Sequence, residues 1–350
     1  MNIVFYISAF LAAIVSAAYL QLPTFILALG YRWFHNYKIK RWFFRILSFV
    51  FVMLFVANTQ SLAVILIGLI PILFFLIFSL LNANPKVYIS LSEKQILKLK
   101  ETDYPLDTEV LGFDDEQGNS ICYPLYEMIK PRHILNDTFQ NKPILVSYCM
   151  ACRSAMVYNP LVKGQRLHFD VLGVYRRNMV MMDRETGTIW QQGTGEAIFG
   201  TLKGSQMEIL PYQQTTLSEW LKQFPNSFIA KESNDVKDGI FSKERLMKMM
   251  KVTETLVTPG KTQLDGLPLR ETVFGIELNG YSKAYPISEL KKRNEFTDKL
   301  GETELSIKYD PQTNFINIIE SKSGKIIPAQ SHWWFGWKEF HPETEIWKAK

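Results

Sequence analysis

The hydrophobic positions of this 350-residue chain are unevenly spread. Up to about residue 84, Phe, Leu, Ile, Val and Ala succeed one another almost without interruption, and beyond it apolar and polar positions mix. Crossing the hydrocarbon core of a bilayer takes about 20 apolar residues. Residues 3–29 carry no charge and reach that length, and residues 62–81 reach it with Pro71 as a tolerated kink. A shorter apolar segment covers 42–57, and its Arg45 can snorkel to the headgroups. Asn58 to Ser61 then reads as a tight hairpin. The first segment is too long for a cleavable signal peptide and lacks the basic start and small-residue exit. The pattern predicts a three-segment transmembrane anchor over 1–84, with the lipid bilayer as its partner.

Charge along that anchor bears on orientation. Arg32, Lys38, Lys40 and Arg41 fall between the first two segments, flanked by Trp33, Phe34, Trp42 and Phe43. Short basic loops stay on the cytoplasmic side, and aromatic residues belt the interface. With three spans the remainder of the chain is cytoplasmic. With two, it is outside. The short 42–57 segment therefore decides the compartment.

Beyond the anchor the period changes. Residues 85–104 predict a helical linker, with Ser92 as N-cap and Gln95 completing a capping box. Strand signals then dominate: PILVSY at 143–148, SAMVYN at 154–159, and the runs over 166–175 and 178–192. Each is short, rich in β-branched or aromatic residues and bounded by Gly, Asn or Pro. Hairpin turns are expected at 162–164 and 185–187, a helical stretch at 216–224, and a helical or loose insertion at 231–262. The expected fold is N-terminal transmembrane helices followed by a mostly-β (α+β) soluble domain.

That domain reads as two similar, duplicated β units. VLGFDDEQGNSICYPLYEMIK (110–130) parallels VFGIELNGYSKAYPISELKK (273–292); ILVSYCM (144–150) parallels LSIKYDP (305–311); and WLKQFPNSFIA (220–230) parallels WKEFHPETEIW (337–347). The order is kept throughout, as a repeat requires. The copies cover about 105–230 and 268–350, and their register matches Tyr148-Cys149 to Tyr309-Asp310.

Composition changes the picture only by exclusion. A net charge of +5 without any RNA or DNA motif gives no nucleic-acid surface. Three cysteines, Cys122, Cys149 and Cys152, are too few for a disulfide scaffold. No phosphate-binding Gly-rich loop occurs.

The candidate chemistry centres on Cys149 and Cys152. Thiols three positions apart can act as a redox pair, or chelate one soft metal ion. They can equally be structural. Arg153 can lower a thiol pKa by its charge. Two thiolates with an imidazole, from His168 or His332, suit copper or zinc. Asp183, Arg184, Trp190, Gln191 and Glu196 with Arg153 are candidates for a binding cleft, in which an arginine would hold an anion. The competing reading makes 183–187 an Asp-capped hairpin turn and Trp190 a core residue.

PILVSYCMACRSAMVYN, LHFDVLGVYRRNMVMMDRETGTIWQQGTGEAIFG and the closing WWFGWKEFHPETEIW resemble the bacterial domain of unknown function 3179 (DUF3179) family over about 105–350. The Cys-x-x-Cys, the Asp-Arg-x-Thr before Trp and the Gly-Glu-Ala-x-x-Gly fall in the family's order. Met150-Ala151 stand where Pro-Leu is usual, and Arg153 where Gly often comes next. The resemblance implies a domain of exported or membrane-attached bacterial proteins, with no established reaction. Two functions remain open: a membrane-anchored protein using Cys149 and Cys152 for thiol redox exchange or copper or zinc binding, and a non-catalytic binding or assembly module with structural cysteines.

Overall fold

A computed structural model describes residues 2–81, 87–115, 117–129, 132–236, 242, 245 and 263–349. Most of the expected insertion at 231–262 lies outside the described residues. Three antiparallel helices open the chain: α1 (Asn2–Ala17), α2 (Tyr37–Ala57) and α3 (Leu62–Leu81). Of these, α3 is long and apolar enough to cross a membrane, and Ile72 and Ser79 are its buried residues. The segment expected over 3–29 is not one helix. It stops at Ala17, and the chain continues through single turns around Pro23 and Gly30. The expected 42–57 segment is longer than its apolar core, because the basic residues before it complete a 21-residue helix. Arg41 donates from Nε to the Ser16 carbonyl (3.0 Å) and from Nη2 to that of Ser79, and Arg45 donates to Ser79 Oγ (2.9 Å). Buried arginines thus satisfy carbonyls at the ends of α1 and α3, which have no intrahelical partner.

The mostly-β domain arranges five small sheets as blades of a ring-like, propeller-like body. Blade I holds Ile96–Leu99, Glu109–Asp114, Ser120–Pro124, Gln213–Thr216 and Phe228–Glu232. Blade II holds Leu91–Ser92, Ile134–Phe139, Lys142–Cys149, Ser154–Asn159 and Glu208–Ile209. Blade III holds Phe169–Tyr175, Asn178–Asp183, Ile189–Gln191 and Ala197–Phe199. Blade IV holds Thr272–Leu278, Tyr281–Pro286, Gln330–Trp333 and Glu345–Ile346. Blade V holds Glu295–Leu300, Thr303–Asp310 and Phe315–Glu320. Short helices α4 (Leu125–Ile129), α5 (Leu217–Gln223), α6 (Ile287–Leu290) and α7 (Trp334–Phe340) fill the corners.

The helical linker expected at 85–104 is a correction. Ile96–Leu99 is a strand pairing with Phe228–Glu232, and Glu93–Gln95 makes a single 3₁₀ turn. Gln95 does accept the Ser92 N–H (3.0 Å). The cap is read correctly, but the residues after it alternate, with Ile96 in the core and Leu97 exposed. A free sheet edge outweighs the local helix preference.

Blades I and IV share their internal geometry. A Cβ on Gly112 would lie 2.2 Å from the Trp220 ring, and one on Gly275 would lie 2.4 Å from that of Trp337. Trp220 donates to Ser227 Oγ (2.7 Å), and Trp337 to Thr344 Oγ1 (2.9 Å). Tyr123 donates to Asp137, and Tyr285 to Asp298, each at 3.0 Å. Lys98 pairs with Asp137 and Lys283 with Asp298. Each glycine lets an indole lie flat on the sheet, and the aromatic burial is the main local stabilisation.

The stretch between α1 and α2 packs on blade III. Tyr19, Leu20, Phe34 and Tyr37 join Leu172, Tyr175, Val180 and Ile189 in one apolar cluster. Thr24 Oγ1 donates to the Val174 carbonyl (3.0 Å), and Tyr175 donates to that of Leu27 (2.8 Å). Because strand side chains alternate, the other face of blade III, with Val171, Met179, Met181 and Trp190, enters a second core with Cys149, Cys152 and Phe335.

His133 makes this fold acid-sensitive. It is buried beside Tyr88, and burial pushes its imidazole down to about 4. The unfolded chain binds that proton near the ordinary pH 6.5, so stability is full above 6.5 and falls as pH drops towards 4. The full loss for this group is about 3 kcal/mol. We expect the urea midpoint to fall between pH 7.5 and 5, and the slope to flatten in His133→Phe. An unchanged slope in that variant would refute the assignment.

Candidate functional site

The strand Lys142–Cys149 turns through Met150–Arg153 and returns as Ser154–Asn159, with Cys149 opposite Ser154. Arg153 closes the turn in the left-handed region (φ 52°). Both thiols are thereby drawn to one side, Cys149 2% and Cys152 0% exposed, and both are free. Cys149 Sγ accepts the Met179 N–H (3.2 Å). Cys152 Sγ accepts Asn178 Nδ2 (3.1 Å) and lies 3.1 Å from Ser154 Oγ. The two thiols hydrogen-bond each other, and His332 from blade IV faces Cys152.

An amide network surrounds the sulfurs. Asn178 Nδ2 also reaches Gln192 Oε1 (2.9 Å), and its Oδ1 accepts Gln191 Nε2 (2.6 Å) and the Gly193 N–H (2.9 Å). Ser154 Oγ donates to Gln192 Oε1 (2.9 Å), Gln192 Nε2 to Ser147 Oγ (3.2 Å), and Tyr158 to the Gln192 carbonyl (2.7 Å). His332, 2% exposed, sets Nε2 3.2 Å from Gln330 Oε1 and leaves Nδ1 without a hydrogen-bond partner. The Trp333 N–H donates to the Cys152 carbonyl (2.9 Å), tying the hairpin to blade IV. Gly336 fits against it because a Cβ there would come 2.5 Å from Cys152 Cβ.

The environment separates the two acidities. Burial would push the Cys152 thiol up, but hydrogen bonding with Cys149 and the nearby His332 imidazole outweigh it and hold it well below the usual thiol range. Burial and the pairing with Cys152 push Cys149 well up. Cys122, alone in blade I, is pushed to about 12 by burial and is an inert core thiol. The site thus has one thiolate-forming sulfur beside a protonated one.

The candidates named from sequence divide. Cys149, Cys152, His332 and Gln191 converge. Arg153 does not face the sulfurs; it hydrogen-bonds Tyr148. Asp183 accepts Trp190 Nε1 (2.8 Å) and the Thr186 N–H (2.6 Å), so it pins the hairpin turn, and Trp190 is core. Arg184 is engaged by Asp170 through two bonds (3.0 and 2.7 Å). Glu196 is exposed. These residues do not form a cleft with the thiols. His168 Nδ1 meets Glu185 at 2.7 Å at the far end of its strand, so it cannot complete a copper or zinc site. Among the described residues, no group of three or more His, Cys, Asp or Glu side chains is placed to hold a metal ion. Sequence reasoning missed Asn178 and Gln192, whose only signal is that uncharged amides border apolar strand runs.

The fold and the site define a propeller-like β domain with a buried thiol pair, joined to N-terminal helices. The family described as "Protein of unknown function (DUF3179)" matches residues 91–326, two thirds of the chain, and the protein belongs to that family. The match starts earlier than the resemblance over 105–350, at the first strand of blade II, and stops short of His332. No curated protein and no solved structure matches the chain.

Proposed function

We propose that this protein is a membrane-anchored dithiol that exchanges with disulfides through Cys152 and Cys149. One observation carries the reading: Cys152 Sγ accepts Asn178 Nδ2 (3.1 Å) and is faced by His332, so its thiol is held well below the usual range while that of Cys149 beside it is pushed up. In the exchange, the Cys152 thiolate attacks a disulfide RSSR, forming a Cys152–SR bond and expelling RS⁻. The Cys149 sulfur then attacks Cys152, its proton passing to the departing thiolate. A Cys149–Cys152 disulfide, one RSH and one RS⁻ result, the RS⁻ taking its proton from water, so the two electrons lost by the dithiol reduce RSSR.

The same reading accounts for the rest of the chain. α1, α2 and α3 cross the bilayer together, which puts the basic loop and the β domain on one side. By the positive-inside rule that side is cytoplasmic, where thiols stay reduced. The two β units are copies of one ancestor, since the Gly–Trp pair recurs in blades I and IV and the Tyr–Asp pair recurs between blades I and II and blades IV and V. Only the first copy carries cysteines; Asp310 and Thr313 stand at the matching turn.

The burial of both sulfurs favours a second reading, a binding or assembly module with structural thiols. Two surface clefts, one beside Tyr212 and Phe274 and one beside Leu91 and Glu127, touch neither cysteine. Equilibrating the full-length Cys122→Ser protein in glutathione buffers, with thiols counted by mass spectrometry, separates the two. We expect a two-electron couple that disappears in Cys152→Ser and a trapped mixed disulfide in Cys149→Ser. Thiols that react only after denaturation would establish the structural role instead.

A further inference from the structure

The segment between α1 and α2 reaches the thiol site through side-chain hydrogen bonds. Tyr31 donates to Gln191 Oε1 (2.9 Å), Gln191 Nε2 donates to Asn178 Oδ1 (2.6 Å), and Asn178 Nδ2 donates to Cys152 Sγ (3.1 Å). Every bond points the same way, from the phenol to the sulfur. An amide has a donor end and an acceptor end, so fixing the first fixes the second. A phenol that accepted instead of donating would turn Gln191 about and leave Asn178 with its carbonyl towards the sulfur. Tyr31 keeps its proton, because burial pushes its hydroxyl to about 12 against the lowering by Arg176.

Two further bonds support the relay: Gln191 Nε2 to the Met179 carbonyl (3.2 Å) and the Gly193 N–H to Asn178 Oδ1. The titratable groups facing Cys152 are Cys149 from its own hairpin and His332 from blade IV. Those facing Tyr31 are Arg176, Tyr175 and Glu196. Blade III has the docked segment on one face and the thiol core on the other, so the relay joins the two.

We infer that Tyr31 is a positioning residue for Cys152: docking of the N-terminal segment on blade III orients the amide donors that point at its sulfur. The inference rests on the thiol reading above and extends it, because the anchor region becomes part of the reactive site. A chain whose N-terminal segment lifts away would keep both cysteines and lose part of the reactivity.

The test is the thiolate absorbance of full-length Cys122→Ser protein against pH, taken as a difference from the same protein carrying Cys152→Ser. Tyr31→Phe removes the relay's first donor and keeps the ring. Thr24→Val removes a docking bond outside the relay. We expect Tyr31→Phe to raise the apparent pKa of Cys152 by about half a unit, a roughly threefold loss of thiolate below it, and Thr24→Val to leave it unchanged. An unshifted Tyr31→Phe, or an equal shift in Thr24→Val, overturns the relay while the thiol reading stands. A wild-type Cys152 that titrates above the ordinary thiol range overturns both.

Discussion

Gly275→Ala is expected to destabilise the protein by more than about 3 kcal/mol, beyond the usual overpacking range. The added methyl would sit 2.4 Å from the Trp337 ring, and the nearest atoms belong to a fully buried indole. That indole cannot swing away, because its Nε1 is bonded to Thr344 and His341 stacks on it at 3.7 Å. Neither strand can withdraw, since Thr272–Leu278 is paired on both sides. Gly112→Ala should behave alike at Trp220. Gly280→Ala is a control: nothing lies within 4 Å, so only its positive φ of 80° opposes the change, at about 1 kcal/mol. Urea unfolding of the three variants measures this. A Gly275→Ala protein as stable as Gly280→Ala would mean that the indole does not rest on the glycine.

The second large effect is expected at His332. In His332→Gln, the side chain keeps hydrogen-bonding capacity but loses the imidazole that faces the sulfur, and Cys152 should titrate more than about one unit higher. The sign depends on which form is stabilised. The imidazole and the donors favour the thiolate, so removing one raises the pKa and shifts the pH–rate profile of thiol alkylation upward. Reaction at a pH far above that shift should be nearly unchanged, because both proteins are then fully thiolate. A variant slowed equally at every pH would show that His332 matters for access or packing, not for acidity.

Much of the blade architecture was legible because it is periodic. The short β-branched and aromatic runs PILVSY and SAMVYN were readable as strands, whereas the hairpin that joins them through the cysteines was not among the expected turns. The V-x-G and Tyr-Pro pairings aligned Gly112 with Gly275 before any indole was seen above them. Local preference misled where a partner strand was waiting: the Ser92–Gln95 cap was real, yet Ile96–Leu99 went to the edge of blade I. It also misled at 3–29, where unbroken hydrophobicity conceals that the helix stops at Ala17 and that Tyr19 and Leu20 pack against a sheet.

Residue type and spacing alone determined the hydrophobic N-terminal region, the mostly-β character of the remaining chain, and the closeness of Cys149 and Cys152, since each depends on interactions over a few residues. Only the tertiary structure decided the neighbours of those sulfurs. Asn178, Gln192 and His332 arrive from other blades, 26 to 180 positions beyond Cys152, while His168, nearer in sequence than all three, and Asp183 and Arg184, nearer than Gln192, are engaged elsewhere. Which distant groups meet depends on how the sheets pack face to face, and that is set by the burial of whole strand faces. No local pattern encodes it.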